Sequence, residues 1–226
     1  VTPGHQVPTG VTMSSARRRQ LLEHAARHDA VIIEDDYDSE SNFTLNPLPA
    51  LKASDRSGRV LYVSSVSKAL SPGLRLGFMV ADPDLIDEAR ALRRLVYRHP
   101  PTNIQYQMAH FLAQGHYETH LRRYHYDSAQ RWERLHAALQ RYLPSCRALA
   151  GSEHANAFWL QTPAQINTQQ LTWRAAHAGV LIEPGARHFL SAAPPDNYFR
   201  MGFHAINPDA IAQGVEVLRG QLEQMG

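Results

Sequence analysis

Lys68 is the residue whose surroundings most directly suggest covalent chemistry. It ends an apolar, strand-like run over residues 59–68, in which Ser65 and Ser67 come shortly before it. Arg75 follows seven residues later, after a proline-glycine pair. A lysine amine can form an imine with an aldehyde, while hydroxyls and a guanidinium can hold a phosphate. The pattern therefore favours a phosphorylated aldehyde, pyridoxal 5'-phosphate (PLP), although a strand-end lysine is also typical of a solvated terminus.

A second group of polar residues follows another apolar run. Residues 30–33 predict a short buried parallel strand, and residues 34–40 after it are rich in carboxylates. Open α/β sheets bind ligands beyond the carboxyl ends of their strands. Because alternate residues of an extended chain face the same way, Asp35 and Tyr37 should point together, away from Asp36. A carboxylate there would keep a pyridine nitrogen protonated, and a phenol would bond the ring hydroxyl. A polar loop without a ligand is the alternative.

The composition is that of a globular protein with one or two domains. The chain has 226 residues, of which 43% are hydrophobic and 19% charged, and its net charge is +2. This charge gives no reason to expect a polyanionic partner, and the arginines at residues 17–19 are expected to lie on a solvated helix face. Cys146 is the single cysteine, which is typical of a reducing compartment, so we expect a cytoplasmic protein.

Alternating strand and helix patterns predict a layered α/β domain at the start of the chain. A helix is expected over residues 12–27, followed by the strands that end at Asp35 and Lys68 and by a third strand over residues 76–80. Asp82 precedes a proline, and this pair predicts the start of another helix.

A smaller α+β domain is predicted to follow a helical connection. Helical periodicity runs over residues 103–142, with an interruption near Gly115. The later elements are strands over residues 155–160, 180–182 and 198–203, and helices over residues 168–178 and 207–223. The expected division is an α/β part at residues 1–105, connecting helices at 106–144 and a small domain at 145–226.

Five motifs occur in order along the chain. They are HQVPTG at 5–10, EDDYDSE at 34–40, SVSK at 65–68, PGLRLG at 72–77 and RMGF at 200–203. Together they resemble the fold-type I PLP-dependent aminotransferases. They resemble more closely the aminotransferase-like effector-binding domain of the MocR subfamily of GntR-type bacterial transcription regulators. The resemblance covers nearly the whole chain.

This resemblance implies a three-layer α/β/α large domain and a small α+β C-terminal domain. Residues 1–105 would be the C-terminal part of the PLP-binding large domain. The intact protein would be a homodimer that contacts DNA only through an upstream winged helix-turn-helix absent from this chain. The chain is therefore expected to be the C-terminal piece of a longer protein, with no membrane partner.

The resemblance also implies roles for individual residues. Those toward PLP are Lys68 for the internal aldimine, Asp35 for the pyridine nitrogen, Tyr37 for the ring hydroxyl, and Ser65, Ser67 and Arg75 for the phosphate. Arg200 would bind the acidic group of an amino-compound effector, and a surface arginine on an edge strand is the alternative. GABA-like, taurine-like and D-amino-acid effectors, as well as sensing of PLP alone, all fit an arginine-lined pocket.

Two departures separate the chain from the aminotransferases it resembles. Those enzymes usually carry Asn-Pro-Thr-Gly, whose Asn bonds the ring hydroxyl, whereas Val7 stands there and has no polar group. They also usually space the Asp and Tyr by three residues. Asp35 and Tyr37 are two apart, which leaves Asp36 as a rival to Asp35. Both departures match the regulators and favour a sensor with little or no turnover. A genuine PLP-dependent aminotransferase is the alternative.

Two other kinds of site are weakly supported by the sequence. His24 and His28, like His116 and His120, have the i,i+4 spacing that puts two imidazoles on one helix face. No His-Glu-x-x-His motif or cysteine pair accompanies them, so polar helix faces are expected rather than a metal site. No Gly-x-Ser-x-Gly motif of a serine hydrolase is present.

Overall fold

A computed structural model of the chain shows two compact units. The structure describes residues 1–43, 47–149 and 156–226. The first unit comprises residues 1–5 and 12–125, and the second comprises residues 6–11 and 126–226. The division falls within one long helix, α5, His116–Tyr142.

The first unit contains a three-stranded sheet with the order β1-β2-β3. The strands are β1, Ile32–Asp35; β2, Val60–Ser65; and β3, Gly77–Val80. β1 and β2 are parallel, with Asp35 opposite Val63, whereas β3 is antiparallel to β2, with Gly77 opposite Ser65. The carboxyl ends of β1 and β2 and the amino end of β3 therefore lie at the same edge of the sheet.

Four further helices belong to this unit. They are α1, Ser15–Arg27; α2, Leu51–Ser54; α3, Pro83–Tyr97; and α4, Thr102–Ala113. The cap of α1 is Ser14, two residues after the predicted start, and its hydroxyl accepts from the Arg17 amide. Asp82 caps α3 as predicted. Gly115 separates α4 from α5, also as predicted, in a conformation with φ +71° that suits glycine.

Arg18 corrects the expectation that residues 17–19 form a solvated face. It is buried, and its guanidinium donates to three backbone carbonyl oxygens. These belong to Met13, Pro49 and Pro3, at 2.8, 2.6 and 2.8 Å. Buried charge is tolerated where its donors are satisfied. The periodicity of α1 alone could not reveal these acceptors, because Pro49 and Pro3 are 31 and 15 residues away from Arg18 in sequence.

The second unit contains a four-stranded sheet with the order β4-β5-β7-β6. The strands are β4, Arg147–Ala148; β5, Ala157–Gln161; β6, Glu183–Pro184; and β7, Tyr198–Gly202. The predicted strand over residues 180–182 is wrong, because pairing begins only at Glu183 and Leu181 is exposed. β7 pairs with both β5 and β6, so the alternative that Arg200 lies on an edge strand is also wrong.

Two helices and the second half of α5 accompany this sheet. They are α6, Thr168–His177, and α7, Ile211–Glu223. Three phenylalanines, Phe158, Phe199 and Phe203, are fully buried with Leu171 of α6 and Leu218 of α7. Burial of such side chains is the main stabilising contribution to a unit of this size. Within the described part of the chain, no helix combines the length and apolar character needed to cross a membrane.

Candidate functional site

The motif residues of the first unit gather at one edge of its sheet. Asp35 is the last residue of β1 and Ser65 the last of β2, while Lys68 lies three residues further on. Arg75 comes two residues before β3 begins. Because the two parallel strands end where the antiparallel strand starts, these residues share one edge, which is where α/β sheets bind ligands.

Lys68 is held at this edge by an aromatic ring and a carboxylate. Its Nζ lies 4.6 Å from the centroid of the Tyr37 ring, where the ring face attracts a cation. The same nitrogen donates to Oδ2 of Asp38 at 3.5 Å. The Lys68 side chain is nevertheless 32% exposed, so its amine is oriented and remains reachable. The structure thus brings Lys68 and Tyr37 together.

Asp38 is the site residue that sequence reasoning missed. Its side chain is 2% exposed, and Oδ2 also lies 3.2 Å from Nδ1 of buried His5. Burial alone would raise the pKa of Asp38, but the hydrogen bond with His5 and the charge of Lys68 outweigh it and hold that pKa below its usual value. Asp38 is therefore an ionised counter-charge to the amine. Its position one residue after Tyr37 was the available signal, whereas the contact with His5 depends on the folded chain.

The two adjacent aspartates of the acidic motif have different surroundings. Asp36 is buried and accepts a hydrogen bond from the Tyr62 hydroxyl at 2.8 Å, while its backbone oxygen accepts from Ser64 at 2.8 Å. Burial raises the pKa of Asp36, although the bond from Tyr62 partly offsets this. Asp35 is exposed at the sheet edge. Asp36 is thus engaged in the fold, and the pairing of Asp35 with a pyridine nitrogen stays a prediction.

The three residues expected to hold a phosphate lie at or after the end of β2. Ser65 and Ser67 are partly exposed and Arg75 is exposed. Arg75 has φ +49° and ψ 38°, a left-handed conformation that non-glycine residues rarely adopt. Such strain tends to persist where the surrounding structure serves a ligand. Ser71 caps the 3₁₀ turn Pro72–Leu74 that leads into it. Joint action of these residues on a phosphate stays a prediction.

Two more carboxylates of the acidic motif differ in their partners. Buried Glu34 accepts from the backbone amides of Leu51 and Lys52 at 2.7 and 2.9 Å, which satisfies the start of α2. Glu40 lies on the 3₁₀ turn Ser39–Ser41, and its buried Oε2 makes no hydrogen bond to the described residues. Burial and the nearby charge of Asp36 raise the pKa of Glu40 to about 7.

Arg200 occupies the middle of the second unit's sheet. It stands opposite Glu183 of β6, and its Nη1 donates to Glu183 Oε2 at 3.2 Å. Its Nη2 donates to Oδ1 of buried Asn156 at 3.4 Å. The Arg200 side chain is 21% exposed. It is therefore an internally paired arginine rather than a solvated one, and its role toward an effector stays a prediction.

The histidine pairs singled out as possible metal ligands have other contacts. His120 Nε2 lies 2.7 Å from the backbone oxygen of Ala69, and His28 Nδ1 lies 2.9 Å from that of His24. Across the described ranges, no group of three or more His, Cys, Asp or Glu side chains could hold a metal ion.

Sequence comparison identifies the family of the chain. The family of class I and II aminotransferases, described as "Aminotransferase class I and II", matches residues 1–218. The chain belongs to this family. It is 39% identical over 216 residues to the HTH-type transcriptional regulator TauR of Rhodobacter capsulatus. It is 34% identical over 220 residues to the probable rhizopine catabolism regulatory protein MocR of Rhizobium meliloti.

These alignments cover 95% and 97% of this chain but 44% of each regulator, so the chain spans less than half the length of these relatives. The predicted resemblance to MocR-type regulators is confirmed. Among solved structures, LysN, the α-aminoadipate aminotransferase of Thermus thermophilus, superposes with a TM-score of 0.89 at 27% identity. It was crystallised with N-(5'-phosphopyridoxyl)-L-leucine, and the match covers all of this chain and 58% of LysN. The predicted fold-type I aminotransferase fold is confirmed.

The donor set at the sheet edge fits PLP, the cofactor that this family implies. It combines the reachable amine of Lys68 with the exposed carboxylate of Asp35, the phenol of Tyr37 and a run of hydroxyls that leads to Arg75. PLP itself would supply an electron sink for bonds at the amine-bearing carbon of a ligand. The protein would supply attachment, orientation and charge.

Proposed function

We propose that this chain is the PLP-binding, effector-sensing domain of a MocR-type bacterial transcription regulator. The observation that carries the proposal is Lys68 at the sheet edge, over Tyr37 and beside ionised Asp38. A reachable amine with a neighbouring counter-charge suits covalent attachment to the aldehyde of PLP. The regulators TauR and MocR, which align with nearly the whole chain, support a sensing role.

The remaining residues of the edge orient the cofactor in this proposal. Asp35 keeps the pyridine nitrogen protonated, and Tyr37 bonds the ring hydroxyl. The phosphate is held by Ser65, Ser67 and Arg75, whose hydroxyls and guanidinium form charge-assisted hydrogen bonds with phosphate oxygens. Support comes from the exposure of Asp35 and Arg75 at the edge where α/β sheets bind ligands.

The effector in this proposal is a small compound with an amine and an acidic group. Its amine takes the place of Lys68 on the cofactor, and Arg200 binds its acidic group. This exchange changes how strongly the intact protein binds its operator. DNA contact comes from an upstream winged helix-turn-helix, and TauR is an HTH-type transcriptional regulator. The intact protein acts as a homodimer in the cytoplasm.

A genuine aminotransferase is the second candidate. It is favoured by the structural similarity to LysN, which is itself an aminotransferase. It is disfavoured by Val7, an exposed aliphatic side chain where these enzymes usually place an asparagine. Without that amide, the ring hydroxyl lacks one donor that tunes the cofactor.

Titration of the full-length PLP-bound protein separates the two candidates. The ligands are 4-aminobutyrate, 2-aminoethanesulfonate and a D-amino acid, followed by cofactor absorbance and by binding to operator DNA. For a sensor, both signals change with ligand concentration until they saturate, and the ligand is not consumed. Sustained transamination with a keto acid, at about the 1–10³ s⁻¹ usual for enzymes, would favour the second candidate.

The assignment of Arg200 is tested in the same titration. Arg200→Gln should weaken an acidic effector by roughly 1.5–3 kcal/mol, the range for hydrogen bonds to charged groups, and should leave PLP bound. Arg147→Gln is the matched control, because Arg147 is an exposed arginine on β4, a strand of the same sheet that pairs with neither β6 nor β7. Equal losses in both variants would argue for a diffuse effect of positive charge rather than for binding at Arg200.

A further inference from the structure

We propose that Glu183 is an internal competitor for Arg200, and that it sets how tightly the acidic group of an effector binds. This inference rests on the proposed function, in which Arg200 receives that group. Glu183 would occupy the guanidinium when no effector is present. An effector would have to displace a carboxylate that the protein itself provides.

Sheet register holds the two side chains together. Glu183 and Arg200 are directly opposed on antiparallel strands β6 and β7. Opposed residues in such a pair have Cβ atoms about 4.5–5.5 Å apart, so their side chains interact. Glu183 Oε2 lies 3.2 Å from Arg200 Nη1. A ligand carboxylate or sulfonate would approach the same donor and meet the negative charge of Glu183.

The other oxygen of Glu183 already faces a second guanidinium and an imidazole. Oε1 lies 3.2 Å from Nη2 of Arg187 and 3.3 Å from Nε2 of His188. The Nε2 atom of His188 is buried and makes no hydrogen bond to Glu183 or to any other described residue. Glu183 can therefore leave Arg200 without becoming an unpaired carboxylate. This lowers the cost of displacement, which for an unpartnered charge would be large.

The backbone around this cluster is closely packed. A Cβ built on Gly185 would lie 2.5 Å from the Trp159 ring and 2.6 Å from the backbone oxygen of Tyr198. The chain after β6 therefore packs closely against its neighbours, and this fixes the 3₁₀ turn Ala186–His188 that carries Arg187 and His188. Exchange of Glu183 between its partners is accordingly a side-chain movement.

Arg200 keeps its orientation when Glu183 leaves. Its Nη2 is anchored by Asn156 at 3.4 Å, and a guanidinium has five N–H donors, so an acidic group finds donors already aimed. The side chains of Arg200 and Glu183 are 21% and 31% exposed, which leaves the pair accessible to a small anion. A structural ion pair sealed from solvent would not permit this exchange.

Two probes that differ only in the acidic group test the proposal. Full-length PLP-bound protein is titrated with 4-aminobutyrate and with butylamine while cofactor absorbance is followed. Glu183→Gln should tighten 4-aminobutyrate binding about tenfold, equivalent to ~1.4 kcal/mol, and leave butylamine unchanged. Glu216→Gln is the control, because it removes the same charge from an exposed partner of Arg219. In an Arg200→Gln background, Glu183→Gln should have no effect.

The results that overturn the proposal are distinct from failure of the proposed function. Unchanged 4-aminobutyrate affinity in Glu183→Gln, or equal tightening of both probes, overturns it. If neither these two amines nor 2-aminoethanesulfonate nor a D-amino acid alters the wild-type spectrum, the proposed function fails. Propionate binding, followed by the NMR signal of the Arg200 Nε–H, still decides the competition. Tighter propionate binding in Glu183→Gln supports it, and equal binding contradicts it. Glu183→Asp, expected to tighten binding less, replaces a glutamine variant that does not fold.

Discussion

Lys68 in the first unit and Arg200 in the second each stand beside a carboxylate, but they are held in different ways. Lys68 lies on a turn beyond β2, 3.5 Å from Asp38, and is 32% exposed. Arg200 lies within a sheet, 3.2 Å from the carboxylate opposite it, and is 21% exposed. The two carboxylates differ in the opposite direction, because Asp38 beside the more exposed cation is 2% exposed and Glu183 beside the less exposed cation is 31% exposed.

This contrast suits two different tasks. A buried, ionised Asp38 provides a fixed counter-charge beside an amine that, in the proposed function, reacts with PLP. A partly exposed Glu183 between two arginines can change partners, in the inference above, while Arg200 stays in place. A fixed carboxylate, Asp38, beside a movable lysine side chain suits covalent attachment. A movable carboxylate, Glu183, beside a fixed arginine suits reversible binding of an acid.

The largest expected difference between the two surroundings concerns backbone packing. Gly185→Ala should destabilise the protein by about 3 kcal/mol, because its Cβ would overlap Trp159 and the backbone of Tyr198. Gly73→Ala is the counterpart on the turn between Lys68 and Arg75, where the new Cβ would lie 3.7 Å from Ser71. We expect a change within about 0.5 kcal/mol there. Urea denaturation measures both, and similar losses would mean that the two surroundings are equally rigid.

The next difference concerns the two carboxylates themselves. Asp38→Asn should cost roughly 2–3 kcal/mol, because it disrupts a buried charge network with His5 and Lys68. Glu183→Gln should cost no more than about 1 kcal/mol, because that pair is partly solvated.

The loss in Asp38→Asn should also depend on pH. The pKa of Asp38 is lowered in the folded state, so its contribution is present above the usual value of about 3.9 and is lost as pH falls through the lower folded value. Wild type and Asp38→Asn should therefore converge in stability in acid. A difference that persists at the lowest pH at which the protein folds would argue against an ionised Asp38.

A smaller effect of opposite sign is expected at Glu40, two residues from Asp38. Burial raises the pKa of Glu40 to about 7, and its Oε2 has no hydrogen-bond partner among the described residues. Its ionisation therefore destabilises the fold as pH rises from the usual value near 4.3 through 7. Glu40→Gln should be more stable than wild type by roughly 2 kcal/mol at pH 8 and nearly equal at pH 4. Thermal denaturation at both pH values tests this, and a variant that is less stable at pH 8 would contradict it.

Local sequence patterns predicted well the strands and turns that form the sheet edge. The strand that carries Asp35 and the strand before Lys68 follow from short β-branched runs, although β2 ends at Ser65 rather than at Lys68 as predicted. The start of α3 follows from Asp82 and its proline. Strand alternation also anticipated the different surroundings of Asp35 and Asp36. These features depend on residues close together in sequence, for which periodicity and capping preferences are informative.

Pairings across the fold could not be predicted in this way. The Val180–Ile182 run is apolar, yet its neighbour Glu183 begins the pairing, because register is decided by the partner strand. The contact of His5 with Asp38 likewise joins residues 33 positions apart. The carboxylates beside Lys68 and Arg200 were both missed for this reason. Asp38 lies within the acidic motif, and Glu183 directly follows the apolar run at residues 180–182.

The most direct test of the account is the identity of the lysine that carries PLP. Full-length PLP-bound protein is reduced with borohydride, digested and mapped by mass spectrometry. If Lys68 carries PLP, a phosphopyridoxyl group will be found on the peptide with Lys68, none on Lys52, and none anywhere in Lys68→Ala. Lys52→Ala, which removes the only other lysine of the chain, should label as wild type does. A covalent adduct at another lysine, with Lys68 unmodified, would contradict the account.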